Sequence, residues 1–233
     1  DQRVFVEQVR KMVTDRVQPR AAEIDRTAQF PWDLKEVFQE MGLLGLSVPE
    51  AYGGCYHGHL YVCLAVEEIA RACVSSSLIV QVQSLGWHPI LIGGSEGQKK
   101  KYGPSVASGQ SVIAYGLTEA GAGSDAAAMM TKAVRHGDRY VINGSKCFIS
   151  NGPIADVLSL FAMKDSSKGV KGISAFIVEK TFPGYGVAKW ESKMGIKGSP
   201  TGELVFQDME VPAENLVGDE GKGFVFAMKT LDT

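Results

Sequence analysis

Apolar residues in the amino-terminal half recur at the 3.6-residue spacing of amphipathic helices. Three stripes follow this period: Val4, Val9, Met12, Val13 and Val17; Leu34, Val37, Phe38 and Met41; Leu60, Leu64, Val66 and Ile69. Pro19 follows the first stripe and Gly42 follows the second. We expect those two helices to end there, because proline interrupts a helix and glycine favours a C-terminal cap. Ser95 and Gln98 have the spacing of a capping box, which predicts the start of a further helix.

After Gly109 the pattern changes to short, β-branched and alternating segments separated by glycine or Asn-Gly. These segments are residues 112–117, 140–142, 146–149, 157–161, 173–178 and 204–206. Asn143-Gly144 lies between two of them and predicts a β-hairpin, since this dipeptide suits a two-residue turn. No helical pattern separates the strands, so we predict an antiparallel β-barrel or sandwich rather than βαβ units.

The last residues return to helical spacing, with apolar side chains at Phe224, Ala227, Met228 and Leu231. The pattern reaches Thr233 without a residue that ends a helix, so we expect the chain to stop inside a further helical domain. The predicted fold class is a multidomain α+β protein. Its parts are a helical domain (1–110), a β middle domain (111–219) and the start of a truncated carboxy-terminal helical bundle (220–233).

The charge balance and the polar residues exclude several function classes. The chain has 24 Lys and Arg against 26 Asp and Glu, and no basic block marks a nucleic-acid or anionic-membrane surface. Gln81, Gln83 and His88 interrupt the longest apolar stretch, which stays short of the roughly 18 residues that a membrane helix needs. The four cysteines form no CxxC pair, which favours free thiols in a reducing compartment. His57 and His59 lack a third ligand, so we predict no metal site.

Residues 115–125 (YGLTEAGAGSD) carry the clearest chemical signal. An apolar strand leads into a glycine-rich turn that holds the Thr118 and Ser124 hydroxyls, and glycine lets backbone N–H groups face a ligand. Such donors suit a polar, anionic or heteroaromatic ligand. The spacing G-x-G-x-x-A from Gly121 also matches a dinucleotide fingerprint, but a Rossmann unit needs a crossover helix where another strand follows here. A tight turn without a ligand is the other alternative.

The same run resembles the flavin-contacting stretch of the acyl-CoA dehydrogenase family, and further motifs follow in that family's order. They are LLGLSVPEAYGG at 43–54, EEIAR at 67–71, YVINGSK at 140–146, FISNG at 148–152, GISAF at 172–176, KMGI at 193–196 and FQDMEVP at 206–212. The resemblance covers essentially the whole chain and is strongest to short- and branched-chain members. It implies a helical domain, a β domain and a helical bundle, with FAD as the cofactor.

Members of this family remove a proton and a hydride from adjacent carbons of an acyl-CoA, giving a 2-enoyl-CoA and reduced FAD. By resemblance, the flavin contacts would come from two segments: Tyr115, Leu117, Thr118, Gly123 and Ser124, and Phe148, Ile149 and Ser150. Thr118 would bond the pyrimidine edge, Phe148 would pack on the ring system and the Ser150 hydroxyl would lie near N5. The alternative for Phe148 is a strand residue facing the core, and for Ser124 it is a cap of the turn.

The resemblance assigns Ser124 to the CoA chain and Lys171 to its nucleotide end, with an exposed-loop lysine as the alternative for Lys171. Neither Glu119 nor Asp125 is assigned as the base, because the catalytic carboxylate of the family lies in the carboxy-terminal bundle, beyond Thr233. We therefore expect no catalytic residue, and no turnover, in this chain alone.

The resemblance also implies the partners. They are an acyl-CoA substrate, an electron-transferring flavoprotein that accepts the electrons, and further copies of the chain in a homotetramer. The expected location is the cytoplasm of a bacterium or the mitochondrial matrix of a eukaryote. The alternatives are an acyl-CoA oxidase, a flavin monooxygenase of the same fold, and a non-catalytic binding or assembly module.

Overall fold

The computed structural model describes residues 2–232, and helices dominate its amino-terminal half. They are α1 (Gln2–Met12), α2 (Ala21–Thr27), α3 (Trp32–Glu40), α4 (His59–Ala72), α5 (Val74–Gly93) and α6 (Glu96–Ala107). Gly42 follows α3 in the left-handed conformation, and Ser95 and Gln98 form the predicted capping box of α6. The predicted terminal helix is α7 (Gly223–Leu231), while Thr233 lies outside the described residues.

The expectation that Pro19 ends the first helical run is wrong. After α1 the chain continues through a π-helical turn (Val13–Val17) and a 3₁₀ turn (Gln18–Arg20) directly into α2. Pro19 sits in the first positions of the 3₁₀ turn, where its missing N–H has no helical partner to lose. A change of helix type therefore accommodates the proline without ending the helical path.

The central helix α5 was not predicted from the pattern of apolar positions. Most of its residues are buried, including Trp87 and Ile90, so it lacks the one-sided stripe that marks a surface helix. Pro89 also lies inside it. Gln81, Gln83 and His88, which interrupt the apolar stretch in the sequence, are part of the same helix. Between residues 2 and 232, no helix is long and apolar enough to cross a membrane.

The carboxy-terminal half forms a mixed sheet. Its strands are β1 (Ile113–Gly116), β2 (Lys132–His136), β3 (Arg139–Ser150), β4 (Val157–Met163), β5 (Ile173–Glu179), β6 (Tyr185–Trp190), β7 (Thr201–Pro212) and β8 (Leu216–Val217). The order across the sheet is β6-β7-β3-β2-β4-β5-β8, and β1 pairs with β4. Most neighbours are antiparallel as predicted, but β1 and β2 each pair with β4 in parallel. A helical part followed by a β-sheet part is confirmed.

The hairpin predicted at Asn143-Gly144 is wrong, because both residues lie inside the single strand β3. Asn143 is held there by Asp208 of β7: its amide donates to the Asp208 carboxylate (3.0 Å), and the Asp208 N–H donates to its side-chain oxygen (2.8 Å). These bonds lie where the β3–β7 register shifts. The turn between β2 and β3 is instead at Gly137-Asp138, since His136 pairs with Arg139. A distant partner therefore overrides the local turn preference of Asn-Gly.

One hydrophobic cluster joins the helices to the sheet. It contains Trp87 and Ile90 of α5 together with Ile113 of β1, Phe161 of β4 and Ala227 of α7, all of them fully buried. α5 therefore packs directly against β1. The buried cluster holds β1 in place, and with it the point where the following turn begins.

Candidate functional site

The glycine-rich turn (residues 117–125) begins where β1 ends at Gly116. Glu119 and Ala122 exchange two backbone hydrogen bonds of 3.1 and 3.0 Å, which closes a tight turn at its centre. A Cβ atom added at Gly121 or Gly123 would meet no other atom within 4 Å. The turn therefore projects into open space, where its backbone can be approached closely.

The end of β3 (residues 146–150) lies beside this turn. The backbone N–H of Cys147 donates to the carbonyl of Thr118 (2.9 Å), and the ammonium of Lys146 donates to the carbonyl of Leu117 (3.0 Å). The two segments that the sequence singled out, more than twenty residues apart along the chain, are thus neighbours in space.

Phe148 projects from this end of β3 into solvent. Its side chain is 66% exposed, and its backbone is left-handed with φ of 56°. It lies where the register between β3 and β7 shifts between Lys146 and Ile149, and such bulges commonly redirect a side chain next to a functional site. The exposure rules out the core-packing alternative for Phe148. An exposed aromatic ring in a strained conformation is the usual sign of a residue that serves a ligand rather than the fold.

A buried ion pair joins the two segments. The Lys146 ammonium lies 2.7 Å from the Glu119 carboxylate, and Lys146 is fully buried. The same carboxylate accepts the backbone N–H groups of Met130 (2.6 Å) and Thr131 (3.0 Å). Burial alone would raise the pKa of Glu119, but the Lys146 ammonium and the bonds from Thr131 and Met130 outweigh it and lower that pKa. Glu119 is therefore an ionised structural carboxylate with its acceptors engaged.

Three hydroxyls at the site are available to a ligand. Throughout residues 2–232, no protein group forms a hydrogen bond with the side chains of Thr118, Ser124 or Ser150. Ser124 therefore does not cap the turn. Hydroxyl donors next to an exposed aromatic ring and an open glycine turn suit a flat heteroaromatic ligand that carries hydrogen-bond acceptors.

The remaining predicted flavin residues are placed differently. Leu117 and Ile149 are buried in hydrophobic clusters, so their side chains support the site from beneath. Tyr115 is half-buried against Phe161, and its hydroxyl donates to the carbonyl of Ala227 in α7 (3.3 Å). Burial raises the pKa of the Tyr115 phenol. Tyr115 thereby ties β1 to the terminal helix.

Lys171 is exposed in a separate 3₁₀-helical segment (Ser166–Gly172), and in the described chain its ammonium forms no ion pair. His57 and His59 contact aromatic neighbours, Tyr61 and Tyr56 respectively. Within residues 2–232, no group of three or more His, Cys, Asp or Glu side chains could hold a metal ion.

The sequence reasoning assigned no role to Lys146, although a signal for it exists. In the alternating strand pattern of residues 140–149, Lys146 falls on the same face as Tyr140 and Ile142, where an apolar side chain is expected. A lysine on the inward face of a strand requires a buried anion, and Glu119 in the glycine-rich turn is one.

Comparison with known proteins places these features in a family. Residues 1–110 match the model of the acyl-CoA dehydrogenase N-terminal domain, and residues 114–209 match that of the middle domain. A cyclohex-1-ene-1-carbonyl-CoA dehydrogenase of Geobacter metallireducens is 47% identical to this chain, over 100% of this chain and 62% of the relative.

Two solved structures share the fold. Butyryl-CoA dehydrogenase from Megasphaera elsdenii has a TM-score of 0.94 at 40% identity, over 99% of this chain and 62% of that one. Acyl-CoA dehydrogenase from Bacillus anthracis, solved in complex with FAD, has a TM-score of 0.89 at 37% identity, over 99% of this chain and 40% of that one. This chain thus spans less than two thirds of the length of these relatives. Together the two domain models and the shared architecture show that the chain belongs to the acyl-CoA dehydrogenase family, of which it comprises the amino-terminal and middle domains.

Proposed function

We propose that the protein containing this chain catalyses FAD-dependent α,β-dehydrogenation of a short- or branched-chain acyl-CoA, giving a 2-enoyl-CoA. The observation that carries the proposal is the contact between the glycine-rich turn and the end of β3, made by the Cys147 N–H and the Thr118 carbonyl. It joins the segment that carries the Thr118 and Ser124 hydroxyls to the segment that carries the Ser150 hydroxyl and the exposed ring of Phe148. The family relationship makes FAD the ligand, and butyryl-CoA dehydrogenase of M. elsdenii supports a short acyl chain.

The residues present fit a flavin ring. Phe148 offers an exposed aromatic face, while Thr118, Ser124 and Ser150 offer donors without protein partners in the described chain. We assign the Thr118 hydroxyl to the pyrimidine edge, the Ser150 hydroxyl to the N5 region and the backbone of Gly123 to close approach. When bound, FAD supplies the hydride acceptor, and these side chains orient it and exclude water from one side.

The base that removes the α-proton is proposed to lie outside residues 2–232. Glu119 is unsuited to the task, because its carboxylate is buried, has a lowered pKa and is paired with Lys146. A general base needs a free lone pair within reach of the substrate and a pKa near the working pH. Asp125 is exposed at the far end of the turn and is not assigned either.

The remaining assignments concern the partners of the complete protein. We propose that Ser124 contacts the CoA chain, that Lys171 meets its nucleotide end, and that an electron-transferring flavoprotein reoxidises the cofactor. We further propose that the complete protein is a homotetramer. Sedimentation of the full-length protein tests the last assignment.

The decisive experiment uses the full-length protein, purified with FAD and mixed under nitrogen with butyryl-CoA or isovaleryl-CoA. We expect the visible flavin absorbance to bleach and a 2-enoyl-CoA to appear. Fast reoxidation of the bleached flavin by air would instead indicate an oxidase. A folded protein that takes up FAD but bleaches with no acyl-CoA would exclude both activities, and one that takes up no FAD would support a non-catalytic module.

A further inference from the structure

We propose that Lys146 and Glu119 are positioning residues that fix the gap between the glycine-rich turn and Phe148, and so set the orientation of the flavin ring. The proposal rests on the proposed function, because it concerns the same site. The pair itself makes no contact with a ligand, since Lys146 is fully buried and Glu119 nearly so. It acts through the backbone segments that it joins.

The pair is the centre of a network that connects three segments. Lys146 of β3 bonds the carbonyl of Leu117 and the carboxylate of Glu119, both in the glycine-rich turn. Glu119 in turn accepts hydrogen bonds from the backbone N–H groups of Met130 and Thr131, immediately before β2. The hydroxyl of Thr131 then returns to β3 by donating to the carbonyl of Ser145 (3.1 Å). The turn is thereby tied to both strands that flank it.

Without this network, few polar contacts would hold the turn in place. Among residues 2–232, the turn has one backbone hydrogen bond to β3, from Cys147 to Thr118, and the Glu119–Ala122 bonds lie within the turn itself. Gly121 and Gly123 are exposed and carry no side chain that could pack against a neighbour. Leu117 and Ala122 anchor the turn in a hydrophobic cluster, while the polar contacts that set the Thr118 hydroxyl relative to Phe148 depend on the ion pair.

A purely structural role would not require these charges. Moving an ammonium and a carboxylate out of water is costly, and an apolar pair of similar volume commonly stabilises a fold as well or better. The charged pair has four hydrogen bonds of defined geometry, which specify where the turn lies, whereas an apolar contact would not. A site that holds a flat ring between two segments needs those segments at defined positions relative to each other.

The test compares full-length K146M/E119M, E119Q and a matched control, R10M. Arg10 pairs with Glu68 at 2.7 Å, and the side chains of Glu68 and Glu119 have similar exposures of 8% and 9%. R10M therefore also breaks an ion pair with a buried glutamate, but in the α1–α4 contact. For each variant we would measure the melting temperature, the Kd for FAD, the visible circular dichroism of bound FAD, and kcat and KM.

We expect K146M/E119M to fold, to bind FAD about tenfold more weakly and to change the flavin dichroism, with a loss in kcat larger than the change in KM. E119Q should show the same changes together with a lower melting temperature, because it leaves the buried Lys146 ammonium without a counter-charge. R10M should lower the melting temperature and leave the Kd and the dichroism as in the wild type.

The proposal is overturned if K146M/E119M retains the wild-type Kd and dichroism, or if R10M alters them equally. Should the double variant yield no folded protein, E119Q decides by the same criteria. A wild-type protein that binds no FAD would contradict the proposed function itself, which keeps the two failures distinct.

Discussion

At the residue scale, Phe148 is the residue whose contribution to ligand binding differs most clearly from its contribution to stability. A non-glycine residue at positive φ costs of the order of 1–3 kcal/mol, and the exposed ring recovers little of this by burial. We expect F148G to leave the free energy of unfolding unchanged or to raise it by up to about 1 kcal/mol, because glycine relieves the strain. The Kd for FAD should nevertheless rise about tenfold, since the stacking surface is lost.

Chemical denaturation and FAD titration of full-length F148G check this prediction. The control is F161A, because Phe161 is fully buried and its truncation should cost about 3–5 kcal/mol. A large loss of stability in F148G, or an unchanged Kd, would contradict the assignment of Phe148 to the ligand.

Individual residues also show which features of the site the sequence could predict and which it could not. The Thr118, Ser124 and Ser150 hydroxyls and the Phe148 ring could be nominated from motifs, and the structure brings their segments together. The sequence could not tell that the Leu117 and Ile149 side chains face the core, since strand ends and bulges change which face a residue occupies.

At the element scale, α5 carries a titratable group in a position that makes its packing sensitive to acid. His88 is 5% exposed, and its Nδ1 lies 2.7 Å from the Ser84 carbonyl, so Nδ1 carries the hydrogen. Burial lowers the pKa of His88 from its ordinary 6.5, and the nearby His59 lowers it further. The unfolded chain therefore binds a proton more readily than the folded one as the pH falls below 6.5.

We accordingly predict that stability decreases as the pH falls from about 6.5 toward the folded pKa of His88, and that H88M removes part of this decrease. Melting temperatures between about pH 5 and pH 8 at constant ionic strength measure the effect. H136Q is the control, because His136 is exposed. Equal pH dependence in the wild type and H88M would contradict the prediction.

Helices and strands with one apolar face could be predicted from the sequence, because their apolar residues recur at a regular spacing. Elements that are buried or paired on both sides could not. The stripes of α3 and α4 marked them, because each helix faces water on one side. α5 has no such stripe. The prediction divided β3 at Asn143-Gly144, because Asp208, the partner that binds Asn143 within the strand, is distant in sequence.

At the scale of the whole molecule, buried hydrogen bonds and a common hydrophobic cluster join the helical part to the sheet part. Gln83 of α5 is buried, and its amide donates to the carbonyls of Val106 (2.8 Å) and Ser111 (2.7 Å). Its side-chain oxygen accepts the N–H of Ile113 at the start of β1 (3.2 Å). Together with the cluster that joins Trp87 to Phe161, this makes the two parts one packed unit.

We therefore predict that both parts unfold in a single transition, and that Q83L lowers the free energy of unfolding by about 3 kcal/mol, because it leaves buried backbone groups unpaired. Denaturation followed by both helical and aromatic signals tests this. Q81L is the control, since Gln81 is exposed on the same helix and its loss should cost less than about 0.5 kcal/mol. Two separate transitions would contradict the shared core.

For the whole molecule, the sequence predicted the order of helices and strands but not how the strands pair. Helices before strands could be predicted from local periodicity. The parallel pairing of β1 with β4 sets the direction in which the glycine-rich turn leaves β1. It joins residues about forty positions apart, so no local sequence pattern predicts it. The contact between the two site segments likewise depends on a family resemblance rather than on periodicity.

The pairing of β3 with β7 has a consequence for biosynthesis. Arg139 pairs with Pro212 and Ser150 with Thr201, so β3 must wait until its partner has left the ribosome. Until then the nascent polypeptide displays an unpaired strand edge beside an uncovered phenylalanine, the kind of surface that chaperones shield and that self-associates when left bare. The ligand-facing end of β3 therefore stays unpaired on this edge until about fifty further residues have been synthesised, because Ser150 pairs with Thr201.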